Sequence, residues 1–234
     1  MELVEKRCII FGADSGIGSA LHSHFKRNGY VCLGSTRRIE TSQDPDFFYF
    51  DAETVETHEE VLKPLFAKPV DLLIWSIGKH TNPERGSFLG FDYEEGKKSF
   101  AVNCLGFASV ASWFLRCNSF SKETCLIVLG SLGGSTELRG SLDHHQPGGN
   151  AIYRASKCAL HNLARNLAYD FEKDDSIGAW IVVLHPGYVS SNSNKDSNAE
   201  PLQSFVKKFS GFMQRVRPSD NGKFLNLDNE EIPW

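Results

Sequence analysis

The sequence contains no concentrated run of basic residues. Across its 234 residues, 25 lysines and arginines are outnumbered by 29 aspartates and glutamates, which gives a formal net charge of −4. Proteins that bind nucleic acids or anionic membranes rely on a concentrated positive surface. The charge distribution therefore argues against both of these partner classes.

Long apolar segments are also missing. No hydrophobic run is long enough to span a bilayer, and the segment from Met1 to Arg7 lacks the apolar core of a signal peptide. From these two absences we expect a cytoplasmic protein that has no contact with a membrane.

The six cysteines lack the close spacing of a zinc site or a redox pair. Their neighbours are mostly apolar, so we expect reduced thiols within a core. His144 and His145 follow Asp143, but no third ligand recurs at a suitable spacing, and a polar loop explains this group better than a metal site. The sequence predicts no metal centre. The cysteines are Cys8, Cys32, Cys104, Cys117, Cys125 and Cys158.

Strand-like and helix-like segments alternate along the chain. Hydrophobic residues make up 41% of it, enough for a substantial core, and the length suits a single α/β domain covering residues 1–234. Several strands are nearly all apolar, which indicates a parallel sheet buried on both faces by helices, and right-handed crossovers favour a doubly wound arrangement. The predicted strands are 7–11, 30–35, 47–50, 70–75, 124–129 and 177–184, and the predicted helices include 55–66, 93–117, 150–171 and 201–213.

Polar or glycine residues follow each predicted strand. In a doubly wound sheet, ligands bind beyond the carboxyl ends of the strands. The residues at those ends should therefore border one cleft. They are Gly12, Thr36, Asp51, Ser76, Ser131 and Pro186.

A glycine turn, Gly12-x3-Gly16-Ile17-Gly18, separates the first strand from a helical pattern. Glycines let the backbone approach a pyrophosphate, and the start of the next helix offers unpaired N–H groups. The spacing differs from the common Gly-x-Gly-x-x-Gly fingerprint, so a tight turn without a ligand remains the alternative.

Arg37 and Arg38 follow the second strand, where a fold that prefers NAD usually carries an acidic residue. No acid occupies residues 35–38. If the glycine turn binds a dinucleotide, this favours NADP, whose 2′-phosphate an arginine accommodates. Two solvated arginines in a surface loop are the alternative.

Tyr153 and Lys157 lie one turn apart on one face of a predicted amphipathic helix. A fixed cation beside a phenol favours the phenolate, so the pair can create a general acid or base at neutral pH. A Tyr/Lys pair at this spacing is also common on helix surfaces.

These motifs, in their order, resemble the short-chain dehydrogenase/reductase family from Arg7 to Trp234. Within the family, the segments 148–160 and 222–234 are most similar to the C-factor and Sniffer-type carbonyl reductases. The resemblance implies a single-domain Rossmann fold with a mostly parallel, seven-stranded sheet. The motifs that carry it are the Gly12–Gly18 turn, Asp51, Asn103, Ser131, Tyr153-x3-Lys157 and Pro186-Gly187.

The resemblance also implies an activity, the transfer of a hydride between NADP(H) and a small carbonyl or alcohol substrate, with NAD(H) as the alternative cofactor. Tyr153 would exchange the proton, and Lys157 would lower the pKa of Tyr153 and bind the nicotinamide ribose. Ser131 would hold the carbonyl oxygen. Asn103 would keep its helix locally open and hold a water of the proton relay.

The same resemblance assigns residues to the cofactor. The glycine turn would line the pyrophosphate and the adenosine ribose, and later segments would border the adenine and the nicotinamide. The implied set is Gly12, Asp14, Ser15, Gly16, Ile17, Gly18, Arg37, Arg38, Asp51, Ala52, Ser76, Ile77, Gly78, Asn103, Tyr153, Lys157, Pro186, Gly187, Val189 and Ser191.

The chain departs from the family pattern at two places. Phe11 stands where threonine is usual, and the segment from Trp75 to Gly78 replaces Asn-Asn-Ala-Gly. We expect hydrogen bonds near the fourth strand to be lost or rerouted, and Trp75 to narrow the cofactor groove. These changes motivate an alternative, a cofactor-binding regulatory or signalling protein with little or no turnover. A methyltransferase shares the alternating pattern but gives no reason for Tyr153 and Lys157.

Residues 190–213 are first polar and then helical, and in the family this region covers the substrate. We expect a lid over residues 190–213, with a disordered loop as the alternative. By analogy, the helices that carry Asn103 and Tyr153 would assemble a homodimer or homotetramer. A set of aromatic residues either lines an apolar substrate pocket or packs in the core. The set is Phe88, Tyr188, Phe205, Phe209 and Phe212.

Overall fold

Seven parallel strands form one sheet at the centre of the molecule. The computed structural model describes residues 5–54, 58–80, 88–140, 150–174, 176–190 and 196–234. The strand order is β3-β2-β1-β4-β5-β6-β7, and each neighbouring pair is parallel. The predicted doubly wound α/β fold is confirmed. The strands are β1 (Arg7–Phe11), β2 (Val31–Thr36), β3 (Phe47–Tyr49), β4 (Val70–Trp75), β5 (Phe120–Leu129), β6 (Ala179–Leu184) and β7 (Phe224–Leu225).

Helices cover both faces of this sheet, because alternate residues of each strand point to opposite sides. Ile9 and Phe11 of β1 belong to a core with α2, α4 and α5, whereas Cys8 and Ile10 belong to a second core with α1 and α6. The helices are α1 (Gly16–Arg27), α2 (His58–Leu65), α3 (Tyr93–Phe100), α4 (Gly106–Arg116), α5 (Ala151–Lys173) and α6 (Leu202–Arg215).

Some boundaries differ from the prediction. The single helix expected over residues 93–117 is two helices joined by a π-helical turn, Ala101–Leu105. Strand β5 begins at Phe120 rather than Thr124, because Phe120 pairs with Val70 across an irregularity in the register. Strand β6 begins at Ala179, two residues later than expected. Polar residues at the start of β5 hide that part of the strand from a hydrophobicity pattern.

Helix α6 packs into the core through three phenylalanines that are fully buried, Phe205, Phe209 and Phe212. Phe209 contacts Phe25 of α1, with 6.2 Å between the ring centroids. For these three side chains core packing is confirmed, and a substrate pocket, the other interpretation, is wrong. Phe88 and Tyr188 are exposed. The lid over residues 190–213 stays a prediction.

Within the described ranges, no helix is long and apolar enough to cross a membrane, and no group of three or more His, Cys, Asp or Glu side chains is placed to hold a metal. Cys8, Cys32, Cys104 and Cys125 are buried, as expected for core thiols, and Cys117 and Cys158 are partly buried. Residues 143–145, which the sequence analysis interprets as a polar loop, lie outside the described ranges.

Candidate active site

The glycine turn brings the start of α1 close to the end of β1. Gly12 and Gly16 adopt positive φ angles of 86° and 52°, which favour glycine. A Cβ atom at Gly18 would lie 2.0 Å from the carbonyl oxygen of Gly12, so only glycine fits this approach. Ser15 precedes the helix but makes no capping hydrogen bond through its side chain. The first N–H groups of α1 can therefore face a ligand.

A cleft of about 660 Å³ lies at the carboxyl ends of β1, β2 and β4. The glycine turn forms one part of its lining, and the segments after β2, β3 and β4 form the rest. Of the residues predicted to bind the cofactor, those that line the cleft are Gly12, Asp14, Ser15, Gly16, Ile17, Gly18, Arg37, Asp51, Ala52, Ser76, Ile77 and Gly78.

The two arginines after β2 have different positions. Arg37 is exposed and lines the cleft. Arg38 is held by Asp14, since its Nε lies 3.3 Å from Asp14 Oδ2 and its Nη2 donates to the Asp14 carbonyl oxygen at 2.6 Å. Thr36 also donates to Asp14 Oδ2 at 3.0 Å. Both arginines are candidate phosphate ligands from the sequence, with solvated surface arginines as the alternative, but only Arg37 borders the cleft.

Ser76 supplies a new connection between β1 and β4. Its hydroxyl donates to the carbonyl oxygens of Phe11 and Gly12, at 2.8 Å and 3.2 Å. The same oxygen would lie 2.5 Å from a Cβ atom at Gly18, so the serine fits directly beneath the glycine turn. The hydrogen bonds near β4 are rerouted, as the sequence analysis anticipates.

Trp75 points away from the cleft. Its side chain is fully buried, and its ring lies 5.6 Å from that of Phe11 and 5.8 Å from that of Phe107. Phe11 also contacts Phe50 at 5.0 Å. The expectation that Trp75 narrows the cofactor groove is wrong. The register between β1 and β4 pairs Trp75 with Phe11, and both side chains lie in the aromatic core rather than in the cleft.

Asn103 lies in the π-helical turn and is fully buried. Its Oδ1 accepts from the backbone N–H of Lys79 at 2.6 Å, and its Nδ2 donates to the Lys79 carbonyl oxygen at 2.9 Å. Nδ2 also donates to Ser156 Oγ at 2.9 Å. Asn103 therefore fixes the backbone that follows β4 and connects it to α5.

Tyr153 and Ser131 meet at the end of β5. Their side chains are hydrogen-bonded, which lowers the pKa of Tyr153, but burial has the larger effect and raises this pKa above its ordinary value. The expected lowering of the Tyr153 pKa by Lys157 is wrong for this structure. A raised pKa keeps the phenol protonated at neutral pH, which suits a proton donor better than a base.

Lys157 reaches the floor of the cleft from α5. Its ammonium is buried and donates to the Leu129 carbonyl oxygen at 3.1 Å. Burial lowers the pKa of Lys157 to about 8. A Cβ atom at Gly78 would lie 3.2 Å from Lys157 Nζ, so the ammonium and the cleft-lining glycine are immediate neighbours.

The segment after β6 does not join the lining of the cleft in the part of the chain that the structure describes. Gly187 has a positive φ of 82°, and Val189 is buried and pairs with Glu200 in a parallel bridge. Pro186 precedes them at the end of β6. Ser191 lies outside the described residues.

Sequence reasoning missed two histidines beside the candidate site. His80 lines the cleft and stacks on Tyr153, with 4.2 Å between ring centroids and 18° between ring planes. His161 accepts from the backbone N–H of Ser131 at 3.2 Å. Their positions in the sequence could have indicated both, because His80 follows the end of β4 and His161 lies one helical turn beyond Lys157.

Comparisons with known proteins agree with this architecture. The short chain dehydrogenase family profile matches residues 6–202. C-signal from Myxococcus xanthus is 27% identical over 166 residues, 71% of this chain and 93% of that protein. The 1-hydroxy-2-glutathionyl-2-methyl-3-butene dehydrogenase of a Rhodococcus species is 29% identical over 239 residues, 97% of this chain and 98% of that protein.

Solved structures show the same fold at low sequence identity. Carbonyl reductase Sniffer of D. melanogaster superposes with a TM-score of 0.82 at 17% identity, over 98% of this chain and all of the other. An NADPH-bound carbonyl reductase from chicken fatty liver has a TM-score of 0.80 at 19% identity, over 100% and 96% of the two chains. Because the family profile covers most of its length, the chain belongs to the short chain dehydrogenase family of NAD(P)-dependent oxidoreductases.

Proposed function

We propose that the protein reduces a small aldehyde or ketone with NADPH, or oxidises the matching alcohol with NADP+. The observation that carries this proposal is the convergence of Ser131, Tyr153 and Lys157 beside the cleft that the glycine turn lines. The buried Lys157 ammonium adjoins Gly78 on the cleft floor, while Tyr153 shares a hydrogen bond with Ser131.

A dinucleotide fits the residues that line the cleft. The absence of a side chain at Gly18 lets α1 approach the Gly12 backbone closely, and the start of α1 presents N–H groups to an anion. Arg37 lies where a 2′-phosphate would be bound, and Asp14, an acid of the cleft lining, is already paired with Arg38. These features favour NADP(H) over NAD(H). Similar folds include an NADPH-bound carbonyl reductase, which supports the same preference.

The bound nicotinamide supplies or accepts the hydride, which is chemistry that protein side chains do not provide. The remaining steps belong to this chain. In the reducing direction, Tyr153 donates its phenolic proton to the carbonyl oxygen, and Ser131 Oγ orients that oxygen. Lys157, whose ammonium adjoins Gly78 on the cleft floor, binds the cofactor ribose.

Asn103 positions the backbone at the edge of the cleft and takes no part in the reaction itself. Its two bonds to the Lys79 backbone hold the segment after β4 at the edge of the cleft, and its bond to Ser156 ties that segment to α5. We propose that this arrangement also positions the water that returns a proton to Tyr153.

The test is NADPH oxidation with a panel of aldehydes and ketones, using the wild type, Tyr153→Phe and Tyr169→Phe. Tyr169 is a matched control, because it lies on the same helix and is exposed. Removal of a general acid costs about 100-fold to 10,000-fold in rate. We expect such a loss for Tyr153→Phe and wild-type rates for Tyr169→Phe.

Full activity of Tyr153→Phe would contradict the assignment of Tyr153. A wild type that is stabilised by NADPH but turns over no carbonyl or alcohol would favour the regulatory alternative instead. Thermal unfolding with NADPH, with NADH and with neither measures that binding, since a ligand specific for the native state adds about 2.7 kcal/mol at a hundredfold excess over its Kd.

A further inference from the structure

His161 lies on the same face of α5 as Tyr153 and Lys157, because the three residues follow one another at four-residue steps. Its imidazole is buried, with 1% of its surface exposed. The ring extends beneath the end of β5, where Nε2 accepts from the backbone N–H of Ser131 at 3.2 Å. One helix thus contacts Ser131 twice, through the Tyr153 phenol and through the His161 imidazole.

Two glycines make room for this imidazole. A Cβ atom at Gly130 would lie 2.5 Å from Nε2, and a Cβ atom at Gly134 would lie 2.6 Å from Cε1. On its other sides the ring packs against Phe224 and Trp234, with centroids 4.6 Å and 5.8 Å away. These two glycines and two aromatic rings therefore enclose the imidazole and hold it in one orientation.

The remaining polar groups of Ser131 are also engaged. Its carbonyl oxygen accepts from Gly134 N–H at 2.8 Å, and its Oγ accepts from Gly133 N–H at 3.1 Å. The one backbone donor of Ser131 is directed to His161. The contact on Nε2 thus completes the set of bonds that fixes the backbone and side-chain orientation of this serine.

The acceptor role requires a neutral imidazole that carries its proton on Nδ1. Burial, together with the charges of Lys157 and His185, lowers the pKa of His161 to about 3. Nδ1 is itself buried and has no hydrogen-bond partner among the described residues. A buried unsatisfied donor is costly, so stability alone is a poor explanation for a histidine here.

We propose that His161 is a positioning residue of the active site, which holds Ser131 in the orientation that receives the substrate carbonyl. This inference rests on the proposed function of Ser131. His161 contacts neither substrate nor cofactor and acts only through the serine backbone. Without the acceptor, the Ser131 N–H is buried and unpaired, and the segment relaxes to find another partner.

The experiment compares His161→Gln with His161→Met, two side chains of similar length and shape. Glutamine offers an amide oxygen near the position of Nε2, whereas methionine offers only a weakly accepting thioether. A displacement of a reacting group by about 1 Å costs up to about 100-fold in rate. We expect the kcat of His161→Met to fall about tenfold to 100-fold with an unchanged KM for NADPH, and the loss for His161→Gln to be about threefold or less.

Equal kcat values for the two variants would overturn the proposal, and so would a parallel loss of NADPH binding and kcat in both. A second measurement needs no variant: the wild type should show a scalar coupling between the Ser131 amide nitrogen and His161 Nε2 in nitrogen-15 NMR spectra. Absence of the coupling overturns the inference even if both variants unfold. An inactive wild type with the coupling intact identifies the proposed function, rather than the hydrogen bond, as the error.

Discussion

His80 lies flat against the phenol ring of Tyr153, with 4.2 Å between the ring centroids and 18° between the ring planes. The contact covers one face of the residue that we propose as the proton donor. His80 itself is exposed, so we expect it to shield this face of the Tyr153 ring from solvent.

Replacement of His80 tests whether its ring shields the Tyr153 phenol from solvent. Burial is the larger cause of the raised pKa of Tyr153. We therefore expect His80→Ala to lower the Tyr153 pKa toward its ordinary value of about 10, whereas His80→Phe keeps a stacked ring and the raised value. NMR titration of carbon-13-labelled tyrosine measures both. Identical titrations of the two variants would show that His80 does not shield the phenol.

Arg37 and Arg38 should differ in their effect on cofactor choice. Arg37 borders the cleft, whereas Arg38 is occupied by Asp14. A hydrogen bond to a charged group contributes about 1.5–3 kcal/mol, so Arg37→Ala should weaken NADPH binding by about tenfold or more with little change for NADH. Arg38→Ala should change the ratio of the two affinities less than Arg37→Ala does, because it frees Asp14 but removes no side chain from the cleft lining. Calorimetric titration provides the affinities, and a lost preference in Arg38→Ala alone would reverse the assignment.

Gly18 and Gly211 should respond to alanine with opposite signs. At Gly18 the new Cβ atom would collide with the Gly12 backbone, whereas at Gly211 within α6 its nearest neighbour is the end of the Arg215 side chain, 3.1 Å away. Overpacking costs about 1–3 kcal/mol or more. Gly18→Ala should thus lower Tm and abolish stabilisation by NADPH.

Gly211→Ala should raise the free energy of unfolding by about 0.5–1 kcal/mol, since alanine is the better helix former. Denaturation in urea measures both variants. A neutral Gly18→Ala would mean that the close approach between α1 and β1 is not required.

Lys157 should make stability depend on pH in the alkaline range. Its pKa is lowered from 10.5 to about 8 in the folded protein. Between these two values the unfolded chain binds more protons than the folded one, so the free energy of unfolding rises with pH, by at most about 1.4 kcal/mol per unit. Below pH 8 Lys157 is charged in the folded protein, and the burial of this charge lowers the free energy of unfolding by its full amount. Lys157→Met removes both effects.

The Lys157→Met variant should therefore be more stable than the wild type at pH 7, and the difference should shrink as the pH rises through 8 towards 10.5. Urea denaturation of the two proteins at several pH values measures this difference. A constant difference across the range would show that Lys157 titrates normally.

The sequence is informative about the sheet because its strands are apolar on both faces and are separated by helical periodicity. This pattern locates β1 to β6 within a few residues. Strand β7 contains only Phe224 and Leu225, too few residues for any periodicity, and it entered the prediction only through the family resemblance. The π-helical turn at Asn103 is equally hidden from periodicity, because the helices on its two sides have only 8 and 11 residues, too few to show a shift of the hydrophobic pattern.

Side-chain partners were harder to predict than strands. The motif that contains Arg37 and Arg38 gives no sign that Asp14, more than 20 residues earlier, binds one of them. The direction of Trp75 depends on the register between β1 and β4, which a single strand does not reveal. His161 had a readable signal in its spacing from Lys157, but a lone histidine on an apolar helix face is usually an ordinary core residue.

The aromatic cluster of Phe11, Phe50, Trp75 and Phe107 limits how this chain can change. Each ring occupies space that the others leave, and a Cβ atom at Gly106 would lie 3.1 Å from the Trp75 ring. Truncation of one large aromatic side chain opens a cavity and costs about 3–5 kcal/mol. Replacement of Phe11 alone by threonine is therefore unfavourable until its neighbours also change. Substitutions of such neighbours are non-additive, so this part of the core tolerates joint replacements better than replacements of one residue at a time.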